Sequence, residues 1–116
     1  MVVIFAIEPR SYRQVMGAAL RSMRPHIEVV VLEPDTLEAG ISRLEPHLVF
    51  ANTPHASSPS AWPAWVEFRP YEAPPARASL AGRRWELSEV DLDDLLSIVD
   101  RTEELFLHTT RELGGG

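Results

Sequence analysis

Short apolar runs alternate with amphipathic segments over about the first fifty residues, and this alternation limits the fold more than any other feature of the chain. The apolar runs are rich in β-branched residues, and the segments between them repeat apolar residues every three or four positions. The runs are Val2–Ile7, Ile27–Leu32 and Leu48–Ala51. Strands that are joined by single helices are parallel, and their crossovers are right-handed. The sequence therefore predicts an α/β fold in which helices cover a parallel sheet.

Both intervening helices have sequence signals at their ends. Ser11 is predicted to cap the first helix, and Pro25 follows its last apolar position. Asp35 and Glu38 form a capping-box pattern at the start of the second helix, which Pro46 ends.

The pattern changes after Asn52. Residues 53–63 are rich in turn formers and lack helical periodicity, so a covering helix is missing at this point of the chain. Ala64–Arg69 alternates as a strand does, and two further strands, Arg77–Leu80 and Arg83–Leu87, flank one tight turn. A turn this short makes those two strands antiparallel. We therefore expect a strand and an antiparallel hairpin after the parallel strands.

The last element is the strongest helix in the chain. It is predicted over Asp91–Leu113, with Ser88 or Asp91 as its cap and acidic residues in its first turn. The chain of 116 residues has no internal repeat and no linker. We therefore expect one domain over residues 1–113 and a flexible glycine tail over residues 114–116.

This last helix is also the predicted partner surface. It would be roughly 33 Å long at 1.5 Å per residue, which is more than a small sheet needs as cover. Leu105, Phe106 and Leu107 are consecutive, so they cannot all face the core. We expect homodimerisation through this helix. Trp62, in the proline-rich segment, is a further contact candidate, and its burial as a lid over the sheet is the alternative.

Composition excludes several classes of partner and chemistry. The net charge of −6 disfavours nucleic-acid binding, because phosphate contacts need clusters of lysine and arginine. No apolar run approaches the roughly 18–20 residues that cross a membrane, so no membrane partner is predicted. Cysteine is absent and the four histidines are scattered, so neither a metal nor another cofactor is predicted. The cytoplasm is the expected compartment.

Two placements of large side chains follow from the predicted elements. Trp65 and Trp85 are expected to pack in a core or against each other as a cross-strand pair. A group of arginines is interpreted as the solvated face of the first helix, with binding of an anion or an acidic partner as the alternative. These arginines are Arg10, Arg13, Arg21 and Arg24.

Polar side chains follow the predicted parallel strands at their carboxyl ends, where sheets of this kind bind ligands. These candidates are Glu8, Glu33, Asn52 and Thr53. One hypothesis is a small polar ligand or a cation between Glu8 and Asn52. The alternative is that the Glu-Pro pairs at positions 8 and 33 only end their strands. A glycine-rich phosphate turn is missing, which disfavours a dinucleotide.

Four stretches in the first half of the chain and at its last helix are similar to one known family. They are Phe5–Gln14, Pro25–Val30, Glu45–Asn52 and Val90–Leu96. With the Tyr12-Arg13 pair at the start of the first helix, they resemble a response-regulator receiver domain. The fold that this resemblance implies is a three-layer sandwich of the flavodoxin and receiver type.

The resemblance also implies that the family's active site is lost. The acid pair that holds Mg²⁺ falls on Ile7 and Glu8, and the phosphoacceptor falls on Asn52. The family's hydroxyl residue falls on Arg69, and its lysine falls on Ser88. Phosphoryl transfer depends on the metal and on these charges. The resemblance therefore implies a divergent pseudo-receiver that is not phosphorylated, is not an enzyme and acts in signalling through protein contacts.

Overall fold

The computed structural model describes residues 1–53, 64–70, 76–80, 83–87 and 90–114, with the backbone alone at Leu80, Arg83 and 108–114. Its strands are Val2–Ala6 (β1), Glu28–Val31 (β2), Leu48–Ala51 (β3), Ala64–Glu67 (β4), Ala76–Leu80 (β5) and Arg83–Leu87 (β6). Its α-helices are Arg10–Met23 (α1), Leu37–Leu44 (α2) and Leu92–Gly114 (α3). The expected tail therefore overlaps α3 at Gly114, and the rest of it lies outside the described residues.

The strands form one mixed sheet of six strands in the order β2-β1-β3-β4-β5-β6. β1 pairs in parallel with β2 and β3, and β3 pairs in parallel with β4. β5 is antiparallel to both β4 and β6. The predicted α/β class, the first parallel strands and the antiparallel hairpin are thus confirmed, and β4 extends the parallel part.

One face of the sheet carries the larger core, between the strands and the helices α1 and α3. Alternation along β1 directs Val3, Phe5 and the following Ile7 to this face, where all three are fully buried. Leu20 of α1 and Leu95 of α3 pack against them. A row of aromatic rings crosses the same face, with 5.4 Å between the ring centroids of Phe5 and Phe50.

The opposite face carries a smaller core beneath α2. Ile4, Val49 and Trp65 are buried there together with Leu37 of α2. Trp85, in contrast, packs against the core on the α1 and α3 side. The expectation that both tryptophans pack in a core is therefore confirmed. They do so on opposite faces with β5 between their strands, so they do not form the alternative cross-strand pair.

Beyond Trp65, the α2 side of the sheet becomes polar. The strand register places charged and polar side chains on this side of β4, β5 and β6, namely Glu67, Arg77, Ser79, Arg84 and Glu86. The residues between them in β5, Ala76 and Ala78, are buried on the other side. An antiparallel hairpin with one solvated face needs a helix on one side only. The sheet therefore passes from two covered faces to one without exposing an apolar surface among the described residues.

The first two helices begin differently from the prediction. α1 follows Pro9, which makes no side-chain capping bond, and Ser11 lies inside the first turn. Pro34 begins a single 3₁₀ turn, in which the Thr36 hydroxyl donates to the Glu33 carbonyl. α2 then starts without a side-chain cap. Both predicted caps are wrong, because Pro9 holds the N-cap position of α1 and the 3₁₀ turn places Thr36 at the N-cap of α2.

The cap of α3 is confirmed as Asp91. The Asp94 N–H donates to Asp91 Oδ1 at 2.9 Å, and the Asp91 N–H donates to Asp94 Oδ2 at 3.1 Å. This reciprocal pair satisfies two backbone donors at the helix start.

Within the described parts of the chain, no helix has the length and apolarity of a membrane span.

Candidate functional site

Asn52 follows β3 at the edge where the parallel strands end, and its amide joins two other segments. Its Oδ1 accepts the Glu8 N–H at 2.7 Å, and its Nδ2 donates to the Phe68 carbonyl at 3.1 Å. Glu8 follows β1 and Phe68 follows β4. Asn52 therefore cross-links the chain after the two strands that flank β3, and both ends of its amide are engaged.

Arg13 lies beneath this edge and is 5% exposed. Its Nη1 donates to the Ile7 carbonyl at 3.3 Å and to Glu8 Oε1 at 3.2 Å. The interpretation of Arg13 as part of a solvated helix face is therefore wrong. Its spacing was the available signal, because Arg13, Gly17 and Leu20 share one buried stripe of α1. The other three arginines stay at least partly exposed.

Glu8 presents the charged group of this edge to solvent. Its side chain is 57% exposed, and its carboxylate pairs with the buried Arg13. A buried guanidinium needs such a counter-charge, because an unpaired buried charge is costly. A cation that bound Glu8 would compete with this pairing.

The remaining edge candidates have local contacts. The Thr53 carbonyl accepts the Trp65 indole N–H at 2.8 Å, and the Thr53 side chain is exposed. The Glu33 carbonyl accepts both the N–H and the hydroxyl of Thr36. The structure thus brings Glu8 and Asn52 together as predicted, whereas the contacts of Glu33 lie within its own turn. Among the described residues, no three His, Asp or Glu side chains are grouped as a metal would require.

The partner-surface candidates on α3 differ in exposure. Leu107 is 52% exposed, whereas Leu105 is half-buried against the larger core. Phe106 is half-buried, and its ring centroid lies 4.1 Å from that of His47. Trp62 lies outside the described residues.

His47 lies beneath α3, where its ring meets that of Phe106. Its Nδ1 accepts the Val2 N–H at 3.1 Å. This bond lies where the parallel strands begin, whereas Asn52 lies where they end. Burial, together with the positive amino group of Met1, lowers the pKa of His47. The neutral tautomer with a proton on Nε2 therefore fits this position.

One exposed ion pair and one His–Glu contact tie α3 to the chain at the end of α1. Arg24 donates to both Asp100 carboxylate oxygens at 2.7 and 2.8 Å, and His26 Nε2 lies 3.0 Å from Glu103 Oε2. The hydrogen bonds from Arg24 lower the pKa of Asp100. These pairs fix the side of α3 that stays exposed.

The positions carried over from the receiver family now have definite surroundings. Ile7 is fully buried in the core, so the first acid position is part of the apolar packing. Arg69 is exposed after β4, and Ser88 lies outside the described residues. No protein-family model matches the chain, and no curated protein or solved structure matches it either.

Proposed function

We propose that the chain is a cytoplasmic, receiver-like signalling domain that is not phosphorylated, catalyses no reaction and acts by binding a protein partner or a second copy of itself. The observation that carries this proposal is the double use of the Asn52 amide. An amide oxygen is a poor nucleophile toward phosphorus. Here that oxygen also holds the chain after β1, which supports a structural role for the residue.

The strand order supports the receiver-like part of the proposal. The order β2-β1-β3-β4 is the start of the flavodoxin-like order, whose ligand site lies outside the ends of β1 and β3. At that place the described residues offer one carboxylate, Glu8, already paired with Arg13. Phosphoryl transfer in such a site needs metal-binding charge and a positioned acceptor. This strand order and the paired carboxylate together support a binding domain that has the flavodoxin-like strand order but does not carry out phosphoryl transfer.

The dimensions of α3 support the interaction part of the proposal. Its 23 residues span roughly 34 Å, whereas five-residue strands span roughly 17 Å. The helix is therefore longer than the sheet that it covers. Arg24 and Asp100 hold its first half in place, and Leu107 stays exposed further along it.

The proposal is tested by amide NMR spectra of the labelled protein with and without Mg²⁺ and beryllofluoride, beside a phosphorylatable receiver domain as positive control. We expect the amide signals of Glu8, Asn52 and Thr53 to stay unchanged at concentrations that saturate the control. Shifts clustered on these three amides would contradict the proposal. The same samples, studied by light scattering, report on self-association.

A small polar ligand or a cation at this edge is the second candidate. Two exposed side chains favour this candidate: the carboxylate of Glu8 and the neighbouring side chain of Thr53. Saturable shifts with Mg²⁺ alone, abolished in Glu8→Gln, would support this candidate. A Thr53→Ala variant serves as the matched control for the exposed side of the loop.

A further inference from the structure

The two edges of the sheet differ in how their backbone groups are satisfied. At the β2 edge, Arg21 Nε donates to the Val29 carbonyl at 2.9 Å. At the other edge, only β5 lies beside β6 within the described residues. β6 has five residues and no proline, so it lacks two of the devices that protect edge strands from pairing.

The solvated side of the hairpin carries a row of alternating charge that ends at this edge. The register aligns Glu67 of β4 with Arg77 of β5, and Arg77 with Glu86 of β6. Arg77 Nε lies 3.9 Å from Glu86 Oε1. Within the described residues no strand lies beyond Glu86 to continue this alternation. Arg84, two residues earlier in β6, is exposed on the same side.

We infer that β6 pairs antiparallel with the β6 strand of a second copy, around a two-fold axis through Trp85. In this register Arg84 of each copy lies opposite Glu86 of the other. All five residues of the strand take part. The inference rests on the self-association proposed above, and it assigns that association to this edge instead of to α3.

Charge selects this register over its neighbours. A two-fold antiparallel pairing keeps side chains on their own faces, so the alternatives shift the axis by one residue in either direction. One shift places Arg84 opposite Arg84, and the other places Glu86 opposite Glu86. Like charges directly opposite destabilise a strand pair, whereas opposite charges stabilise it. Only the register centred on Trp85 continues each charge row with a residue of opposite sign, because Glu86 then faces Arg84 of the other copy.

The other side of the edge suits the same axis. Trp85 is half-buried on the core side, and the Arg101 guanidinium lies 5.6 Å from its ring centroid. On the axis the two Trp85 side chains would meet, each beneath the α3 helix of its own copy. Aromatic side chains opposite each other are favourable cross-strand pairs. Both faces of the edge therefore offer complementary groups to a second copy.

The test uses charge reversal in sedimentation experiments from about 1 μM to about 1 mM, a range that covers weak dimers. We expect the unaltered chain to dimerise, and Arg84→Glu and Glu86→Arg each to weaken the dimer by about tenfold or more. An equimolar mixture of the two variants should regain association, because each Glu then faces an Arg. Circular dichroism confirms that each variant is folded.

The outcomes separate this inference from the proposed function. Recovery in the mixture supports pairing through β6. A dimer that is insensitive to both reversals, but weakened by Leu107→Glu, overturns the inference and leaves self-association through α3 intact. Weakening by each reversal without recovery in the mixture also overturns it. A monomer over the whole range overturns both the inference and self-association.

Discussion

Replacement of Asn52 by aspartate removes a single donor group from the centre of the candidate site without changing the shape of the side chain. The Nδ2 donor 3.1 Å from the Phe68 carbonyl becomes an oxygen. The bond from the Glu8 N–H at 2.7 Å is kept, because a carboxylate accepts it as well as an amide. Asn52→Asp therefore isolates one hydrogen bond of the cross-link.

The cost follows from the partner that is left behind. The Phe68 carbonyl loses its donor in a partly buried position and faces a negative oxygen instead. An unsatisfied group of this kind costs about 1–3 kcal/mol, and we take about 2 kcal/mol as the expected loss of unfolding free energy. For a domain of this size, that loss lowers the Tm by about 8 °C.

The effect should depend on pH in a definite direction. We expect the repulsion from the Phe68 carbonyl to outweigh the bond from the Glu8 N–H, which favours the ionised form, so that the folded pKa of the introduced carboxyl group is raised above its unfolded value. When protonated, the group can donate to the Phe68 carbonyl again. The loss of stability is therefore complete above the folded pKa, and it shrinks as the pH falls through that value.

The assay is urea unfolding at neutral and acidic pH, with Thr53→Ala as the control at the neighbouring position. The Thr53 side chain is exposed, and only its carbonyl accepts the indole N–H of Trp65, so this control should match the unaltered chain. An Asn52→Asp protein as stable as the unaltered chain at neutral pH would refute the cross-link. A difference that stays constant with pH would refute the role of the donor.

Three further predictions concern the packing of the helices. Lowering the pH below about 6.5 should destabilise the protein, because the folded pKa of His47 is depressed and its Nδ1 is a hydrogen-bond acceptor. In His47→Asn, the free energy of unfolding measured in urea should therefore depend less on pH in this acidic range. Gly17→Ala should lower the free energy of unfolding, measured by thermal unfolding, by about 1–3 kcal/mol, because the added Cβ would lie 2.5 Å from Val31 Cγ2. Combining it with Val31→Ala should reduce this loss, because the clashing methyl group is then removed. Asp100→Asn should lower the Tm at low salt and much less at high salt, and the difference should vanish as the pH falls through the depressed pKa of Asp100, since the ion pair with Arg24 is exposed.

Most of the secondary structure could be predicted because its signals are local. The predicted and observed bounds coincide at Leu48–Ala51 and Arg83–Leu87, and Val2–Ile7 differs from β1 by one residue. Alternation at period two and stripes at period 3.6 depend only on neighbours in the sequence. The starts of α1 and α2 were less secure, because Pro9 takes the N-cap position of α1 and a 3₁₀ turn precedes α2.

The candidate site was predictable in position but not in its bonds. The rule that parallel strands end at one edge placed Glu8 beside Asn52. It did not indicate that Phe68, sixteen residues beyond Asn52, would occupy the other end of the amide. The burial of Arg13 was not predicted, because an arginine on a helix is usually solvated. Its spacing to Leu20 nevertheless fitted the buried stripe of α1.

The sequence by itself determined which segments are strands and helices and which face of each is apolar, and it placed Asn52 directly after the third strand. Only the tertiary structure decided that the Asn52 amide forms a cross-link and that Arg13 is buried against Glu8. It also decided that β6 lies at an edge of the sheet, where a row of alternating charge ends. The physical reason is distance along the chain. Periodicity is set by adjacent residues, whereas the partner of a polar group is set by whichever distant segment the packed fold brings within about 3 Å.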